Sequence, residues 1–287
     1  MLQINSAKQK IILDASERII NDFVKLDFVK EYIPCISFSA INDNIGNVFT
    51  FNLIDDKEVG FIFSEKGAVL KYPHKELGLM NDLVTVIDYC FEYIRNIEDI
   101  HCVHGSSSAF GNKGVVLIGA ASGIGKSTVN YHLIKNGFTF VSDEKTLIDG
   151  KNIIGGNTKI SFNKDLIKKN HDQELINTLI KRSNFIADIP IKLFVQPVTN
   201  KNGDLYIDKW EPLKAEFHVY EELSRKIRGI SRRIYKFTYP LNSIDTQSLA
   251  DARSIKAKRI STEIPFYAIY GDPEDVAGEI VNILRNL

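Results

Sequence analysis

Three observations predict an α/β fold. The apolar run Val115-Val116-Leu117-Ile118 leads almost directly into Ala120-Ala121-Ser122-Gly123-Ile124-Gly125-Lys126-Ser127, the order strand, phosphate-type loop, helix. Short β-branched and aromatic runs alternate with segments of helical spacing along the whole chain. Its 287 residues, 44% hydrophobic and 25% charged, provide ample core for one large domain or two smaller ones.

The first region, residues 1–97, reads as mixed α/β. Residues 10–31 carry Ile11, Ile12, Ile19, Ile20, Phe23 and Val24 at helical spacings. Four β-rich runs follow: Cys35–Ile41, Val48–Ile54, Val59–Ser64 and Ala68–Tyr72. Clusters such as Asn42-Asp43-Asn44 and Glu65-Lys66-Gly67 separate them, as in an antiparallel meander. Residues 76–96 then favour a helix with Leu83, Ile87, Cys90, Phe91 and Ile94 on one face, a core stripe.

The second region, residues 98–287, holds the motifs. Ile100–His104 and Val115–Ile118 flank Ser106–Lys113, and the helix after the glycine-rich loop ends at Gly137, a C-cap residue. Phe138–Ser142 is the next strand, and Ile153–Phe162 is further β structure broken by Gly155-Gly156. Helices are expected over 163–184 and 212–228, around a strand at Ile191–Val195. Asp272-Pro273-Glu274 reads as an N-cap with proline at the first helical position. The face Val276, Ile280, Ile283, Leu284 and Leu287 follows it.

Composition excludes several function classes. Lys+Arg and Asp+Glu are equal at 36, so no global field draws the chain to nucleic acid or an anionic membrane. No run of apolar residues reaches membrane-spanning length, and the N-terminus lacks a signal-peptide layout. Cys35, Cys90 and Cys102 cannot all pair and have no zinc-ligand spacing, so they read as reduced thiols of a cytoplasmic protein.

The chemistry concentrates in residues 100–150. Small residues let backbone N–H groups of Ala121, Ser122, Gly123, Ile124 and Gly125 close around phosphate oxygens, with Thr128 in the first helical turn. Lys126 reaches the β- and γ-phosphates, and Ser127 can ligate Mg2+. Phe138–Ser142 ends in Asp143-Glu144, one short helix and one strand after Lys126. This return is expected to set both carboxylates at the end of a strand neighbouring Val115–Ile118. In a regular strand they would face opposite ways, so a shared role needs a turn there. Upstream, His104 of His101-Cys102-Val103-His104-Gly105 can hydrogen-bond a transferring phosphoryl group or bias the neighbouring acid, or it is a packed histidine.

His104-Gly105, the glycine-rich loop, Gly137 and Ser142-Asp143-Glu144 together resemble the catalytic core of the HPr kinase/phosphorylase family and its wider kinase-like relatives. That group shares a nucleotide fold with ATP-dependent phosphoenolpyruvate carboxykinases. The resemblance covers roughly residues 100–150 and extends more weakly to Ile264-Pro265-Phe266-Tyr267. It implies a mixed-sheet P-loop kinase core of HPr-kinase-like type behind an α+β N-terminal region. It also implies ATP and Mg2+ as cofactors, Asp143 as base, His104 as an aid to phosphoryl transfer, Lys126 and Ser127 on phosphate and metal, and Glu144 supporting the metal. Ala120 stands where the strict loop pattern has glycine, Glu144 where the family has a second Asp, and no downstream Glu-x-Arg-Gly element follows. The N-terminal hundred residues do not read as the family's regulatory domain. The chain therefore fits better the relatives that phosphorylate free amino acids or serine in small peptides.

The expected function is thus an ATP- and Mg-dependent phosphotransferase acting on a hydroxyl of a small molecule or peptide. The alternative is a P-loop ATPase or nucleotide-binding regulatory protein without an acceptor. Asn200-Lys201-Asn202-Gly203 fails the guanine motif at its last position, against a GTPase switch. Arg225, Lys226, Arg228, Arg232, Arg233 and Lys236 could hold phosphates, a carboxylate or an acidic peptide, or form a solvated basic loop. Gly155-Gly156-Asn157-Thr158-Lys159 is either a second loop near the nucleotide or a plain turn, and Trp210 is a packing residue rather than an adenine platform. Neither nucleic acid nor membrane is an expected partner. HPr kinases assemble, which leaves a homo-oligomer open.

Overall fold

The computed structural model describes residues 1–41, 48–76, 78–119, 123–157, 188–229 and 233–287. The expected helix over 163–184, the turn Asn42-Asp43-Asn44, the loop residues Ala120, Ala121 and Ser122, the pair Thr158-Lys159 and Arg232 lie outside them. The fold is mixed α/β, with seven helices and mixed sheets among the described residues. Two compact units form: residues 1–99 with 225–249, and residues 100–224 with 250–287. The sequence-based division at 97/98 places Arg225–Leu249 in the second region. The structure groups this segment with the first unit.

In the first unit, β1 (Leu2–Ser6) and β2 (Gln9–Asp14) form a hairpin, followed by helices α1 (Glu17–Lys25) and α2 (Asp27–Tyr32). Residues 10–14 are therefore strand, not the start of a helix. Their Ile11-Ile12-Leu13 run suits a pleated surface better than a helix turn. Ile19 and Phe23 are buried on α1 as the helical spacing predicts.

β3 (Ile36–Ser39), β4 (Phe49–Asp55), β5 (Gly60–Ser64) and β6 (Gly67–Tyr72) complete a sheet of order β3-β1-β2-β4-β6-β5. It is not a meander, because β4 runs parallel to both β2 and β6. Gly67 makes the β4–β6 pairing possible: a Cβ there would lie 2.5 Å from the Thr50 carbonyl oxygen.

Helix α3 (Leu79–Ile97) is buried along nearly its whole length and carries charge into the core. Asp82 accepts hydrogen bonds from Tyr72 Oη (2.9 Å) and from the backbone N–H groups of Tyr235 (2.8 Å) and Lys236 (3.3 Å). Those last two residues lie in the small hairpin β15 (Arg233–Ile234) and β16 (Tyr239–Pro240). A buried carboxylate satisfied in this way fixes the returning segment rather than destabilising the core.

The second unit is built on a nine-stranded sheet. Its strands are β7 (Ile100–Val103), β8 (Gly105–Phe110), β9 (Lys113–Ile118), β10 (Thr139–Ser142), β11 (Thr146–Asp149), β12 (Asn152–Gly156), β13 (Ile189–Thr199), β14 (Tyr206–Lys209) and β17 (Phe266–Gly271). The order is β10-β8-β9-β13-β12-β11-β7, with β17 parallel to β13 and β14 antiparallel to β17.

Alternation along the central strands sorts the core into two layers. Val115, Leu117, Leu193 and Val195 pack with α4 (Lys126–Lys135) and α7 (Pro273–Arg285). Val116, Ile118 and Phe194 face α5 (Pro212–Arg225) and α6 (Gln247–Glu263). Asp272 caps α7 by accepting from the Glu274 N–H at 3.0 Å, ahead of Pro273, as the sequence predicts. Among the described residues no helix is long and apolar enough to cross a membrane.

Candidate functional site

The strand that ends at Ser142 does not neighbour β9. β10 pairs with β8, and β8 separates it from β9. Because β8 is antiparallel to both, the C-terminal ends of β9 and β10 and the start of β8 share one edge of the sheet. Three chemical elements therefore converge there: the glycine-rich loop after β9, Asp143 after β10, and His104-Gly105 before β8.

The loop closes onto a helix start. Gly125 is the N-cap of α4 with φ 107°, and a Cβ on it would lie 2.3 Å from Thr199 Oγ1. Thr199, at the end of β13, donates its N–H (3.0 Å) and hydroxyl (3.2 Å) to the Ile124 carbonyl, so β13 braces the loop from behind. Lys126 is 8% exposed, and its Nζ donates to the Gly119 carbonyl at 2.9 Å. Gly123 and Ile124 complete the described part of the loop, and Thr128 is half-buried on α4.

Asp143 is the centre of the arrangement and is 1% exposed. Its Oδ1 accepts from Ser127 Oγ at 3.0 Å and from the buried hydroxyl of Ser106 on β8. A turn follows at once, with Glu144 at φ 61° and the Lys145 N–H on the Asp143 carbonyl at 2.7 Å. A turn thus stands at the strand end, but it sends the two carboxylates apart. It buries Asp143 and leaves Glu144 exposed. The carboxylate that meets Ser127 is therefore Asp143, while Glu144 contributes its carbonyl to His104 Nδ1 at 3.2 Å.

β12 holds the turn from outside. The Asp143 N–H donates to Asn157 O (2.8 Å), and the Asn157 N–H to Lys145 O (2.9 Å). Gly156 allows this clasp: a Cβ there would lie 2.2 Å from Lys145 O and 2.4 Å from Ser142 Cβ. Close backbone approach, rather than a free turn, is the use of the second glycine in Gly155-Gly156.

Beneath the site, Ser107 Oγ and Ser142 Oγ (2.6 Å) and Ser142 Oγ and Thr146 Oγ1 (2.7 Å) form a buried hydroxyl chain, which ends on the Gly105 carbonyl at 3.1 Å. Such a satisfied network rigidifies the strand ends that carry His104 and Asp143.

His104 is fixed from two sides. Its backbone N–H donates to Glu222 Oε2 on α5 at 3.3 Å. A carbonyl can only accept, so the ring contact with Glu144 assigns the hydrogen to Nδ1. Nε2 of neutral His104 is then an acceptor, and it donates only in the imidazolium.

Sequence reasoning missed Ser106 and Glu222 as members of this group. Ser106 had a signal, since it stands two residues after His104 in a β-run. Glu222 had none, being one acid in a helix ahead of a basic stretch. Of that basic stretch, Lys236 pairs with Glu76 at 3.5 Å, and Arg233 lies over the Tyr235 ring at 5.3 Å. Trp210 is buried, with ring centroids 4.4 Å from His218 and 6.4 Å from Phe266.

The groups present suit a phosphate chain with Mg2+. A buried ammonium, a hydroxyl and a carboxylate oxygen sit together at a helix N-terminus, and magnesium commonly uses one or two protein oxygens plus phosphates and water. Among the described residues no three His, Cys, Asp or Glu side chains are grouped to cage a metal. No family model matches the chain, and no curated protein matches it.

Proposed function

We propose that the protein is an ATP- and Mg-dependent phosphotransferase acting on a hydroxyl of a small molecule or peptide, through a P-loop kinase core of HPr-kinase-like type. The observation that carries this reading is the contact of Asp143 with both Ser106 and Ser127, the residue that follows Lys126.

Lys126 and the loop N–H groups would hold the β- and γ-phosphates, and Ser127 would hold Mg2+ with Glu144 in support. When bound, Mg2+ offsets charge on the phosphates. Ser106 and Ser127 orient the Asp143 carboxylate, which accepts the proton of the acceptor hydroxyl. That hydroxyl oxygen forms a bond to the γ-phosphorus as the bond from phosphorus to the bridging β–γ oxygen breaks, releasing ADP. His104 aids the transfer by hydrogen-bonding the transferring phosphoryl group.

Burial of Asp143 and Lys126 favours a kinase over a phosphatase of ATP, because a dry site suppresses transfer to water. The test is calorimetric binding of Mg-ATP together with label transfer from γ-labelled ATP to pooled hydroxyl compounds. Binding with transfer to an acceptor supports the reading. Binding with phosphate release alone in every pool favours an ATPase. Binding without any turnover favours a nucleotide-sensing protein.

A further inference from the structure

The sheet edge that carries the P-loop continues past Thr199 to an aromatic pair that the phosphate chemistry leaves unused. β9, β13 and β17 are parallel, so their C-terminal ends lie on one edge, and β14 starts there. Tyr270 pairs with Val198 on one side and Tyr206 on the other, and the two tyrosine rings lie 5.6 Å apart. Tyr206 is 61% exposed and Tyr270 37%. The two rings therefore present an exposed aromatic pair on one face at the edge of the sheet.

We propose that Tyr206 and Tyr270 form the platform for the nucleobase of the phosphoryl donor, an inference that rests on the P-loop reading above. Position supports it. Tyr270 is two strand spacings from β9, about 10 Å, and the base of an extended nucleotide reaches about that far from its β-phosphate.

The surface between is polar and close to the P-loop. Thr199 touches Gly125 and Ile124, and the next residue, Asn200, donates its N–H to Gly271 O at 2.9 Å. Asn200, Asn202 and Asp204, on the segment that joins β13 to β14, have side-chain types able to read the edge of a base. The register puts both tyrosines on the face opposite α4, so the nucleotide crosses the sheet edge over this loop. Trp210, four residues further along, is buried in the core and cannot serve. Stacking on exposed aromatic rings suits any purine and adds affinity without demanding one base.

The test compares ATP with inorganic tripolyphosphate, each with Mg2+, by calorimetry on the full chain. The double substitution Tyr206→Ala with Tyr270→Ala is expected to weaken ATP about tenfold or more. Tripolyphosphate affinity should stay as in the wild type. Tyr206→Phe with Tyr270→Phe should retain ATP affinity. Lys126→Ala should weaken both ligands; if it weakens neither, the P-loop reading itself fails, independently of the platform. Unchanged ATP affinity in the alanine variant, or an equal loss for tripolyphosphate, overturns the platform. So does a change of oligomeric state, because the edge then seats a second copy. Photolabelling of the wild type with 8-azido-ATP needs no variant. Label on 205–210 or 266–271 supports the platform, and label confined to other segments overturns it.

Discussion

Ser127 donates its hydroxyl to Oδ1 of Asp143 across 3.0 Å, joining the first turn of α4 to the end of β10. Ser106 donates to the same oxygen from β8. One carboxylate oxygen thus records the relative placement of three elements. Ser106→Ala removes one of its two hydroxyl donors and lets the carboxylate swing. Label transfer is expected to fall roughly tenfold or more, since small misplacements of reacting groups are expensive, while Mg-ATP affinity changes little. Equal activity of Ser106→Ala and wild type would show that the β8 hydroxyl does not position Asp143.

Gly156→Ala should break the clasp around the Asp143 turn. The added methyl carbon would lie 2.2 Å from a backbone oxygen, which cannot be relieved by a side-chain rotation. A stability loss of about 1–3 kcal/mol is expected from overpacking, read as a lower urea midpoint, with loss of transfer beyond that of unfolding. A variant with the wild-type midpoint would mean that β12 does not press on Lys145 as described.

Tyr89 ties the returning segment to the first unit. Its hydroxyl lies 3.0 Å from the Ile227 carbonyl oxygen and 2.7 Å from that of Asn242, and it accepts from the Ile244 N–H at 3.1 Å. Tyr89→Phe leaves buried backbone groups short of a partner, at a cost of about 1–3 kcal/mol. Hydrogen exchange should speed up in residues 225–249 more than in β1 or β2. Uniform exchange across the unit would contradict the tether.

Burial holds the pKa of His132, on α4, and of His218, on α5, below the ordinary value of 6.5. For both, desolvation is the leading cause, with nearby lysines adding to it. Between the lowered folded values and 6.5, the unfolded chain binds more protons than the folded one, so stability rises with pH across that window. Their contribution is complete above about pH 6.5 and is lost as pH falls through the folded values. The urea midpoint should drop from pH 7.5 to pH 5. His132→Gln with His218→Gln should flatten part of that drop. An identical slope in the double variant would exclude these two groups as its source.

Local spacing made much of the site legible. The short return from Lys126 to Asp143 is one helix and one strand, so the loop and the acid could be read together. Contacts between distant elements were not legible. Ser106 lies 37 residues from Asp143, and Glu222 lies 118 from His104. Their placement depends on strand order, which periodicity does not encode, and the same limit put β10 beside β9 instead of β8. In the first unit, four strands separated by turns read as a meander, because nothing local distinguishes a hairpin from a parallel crossover. α6 went unseen because its sequence is largely polar and it buries Arg253 and Lys256 beside Ala257 and Ile260. The return of Arg225–Leu249 to the first unit rests on contacts with Tyr89 and Asp82, which its basic run does not signal.

The central claim is that Asp143 accepts a proton from a hydroxyl that attacks ATP. Its most direct test is single-turnover transfer from γ-labelled ATP with Mg2+ to amino acids, small alcohols, sugars and serine peptides, with Asp143→Asn beside the wild type. The account predicts label in one acceptor class with the wild type, and none with Asp143→Asn although that variant still binds ATP. Transfer by Asp143→Asn at the wild-type rate would contradict it.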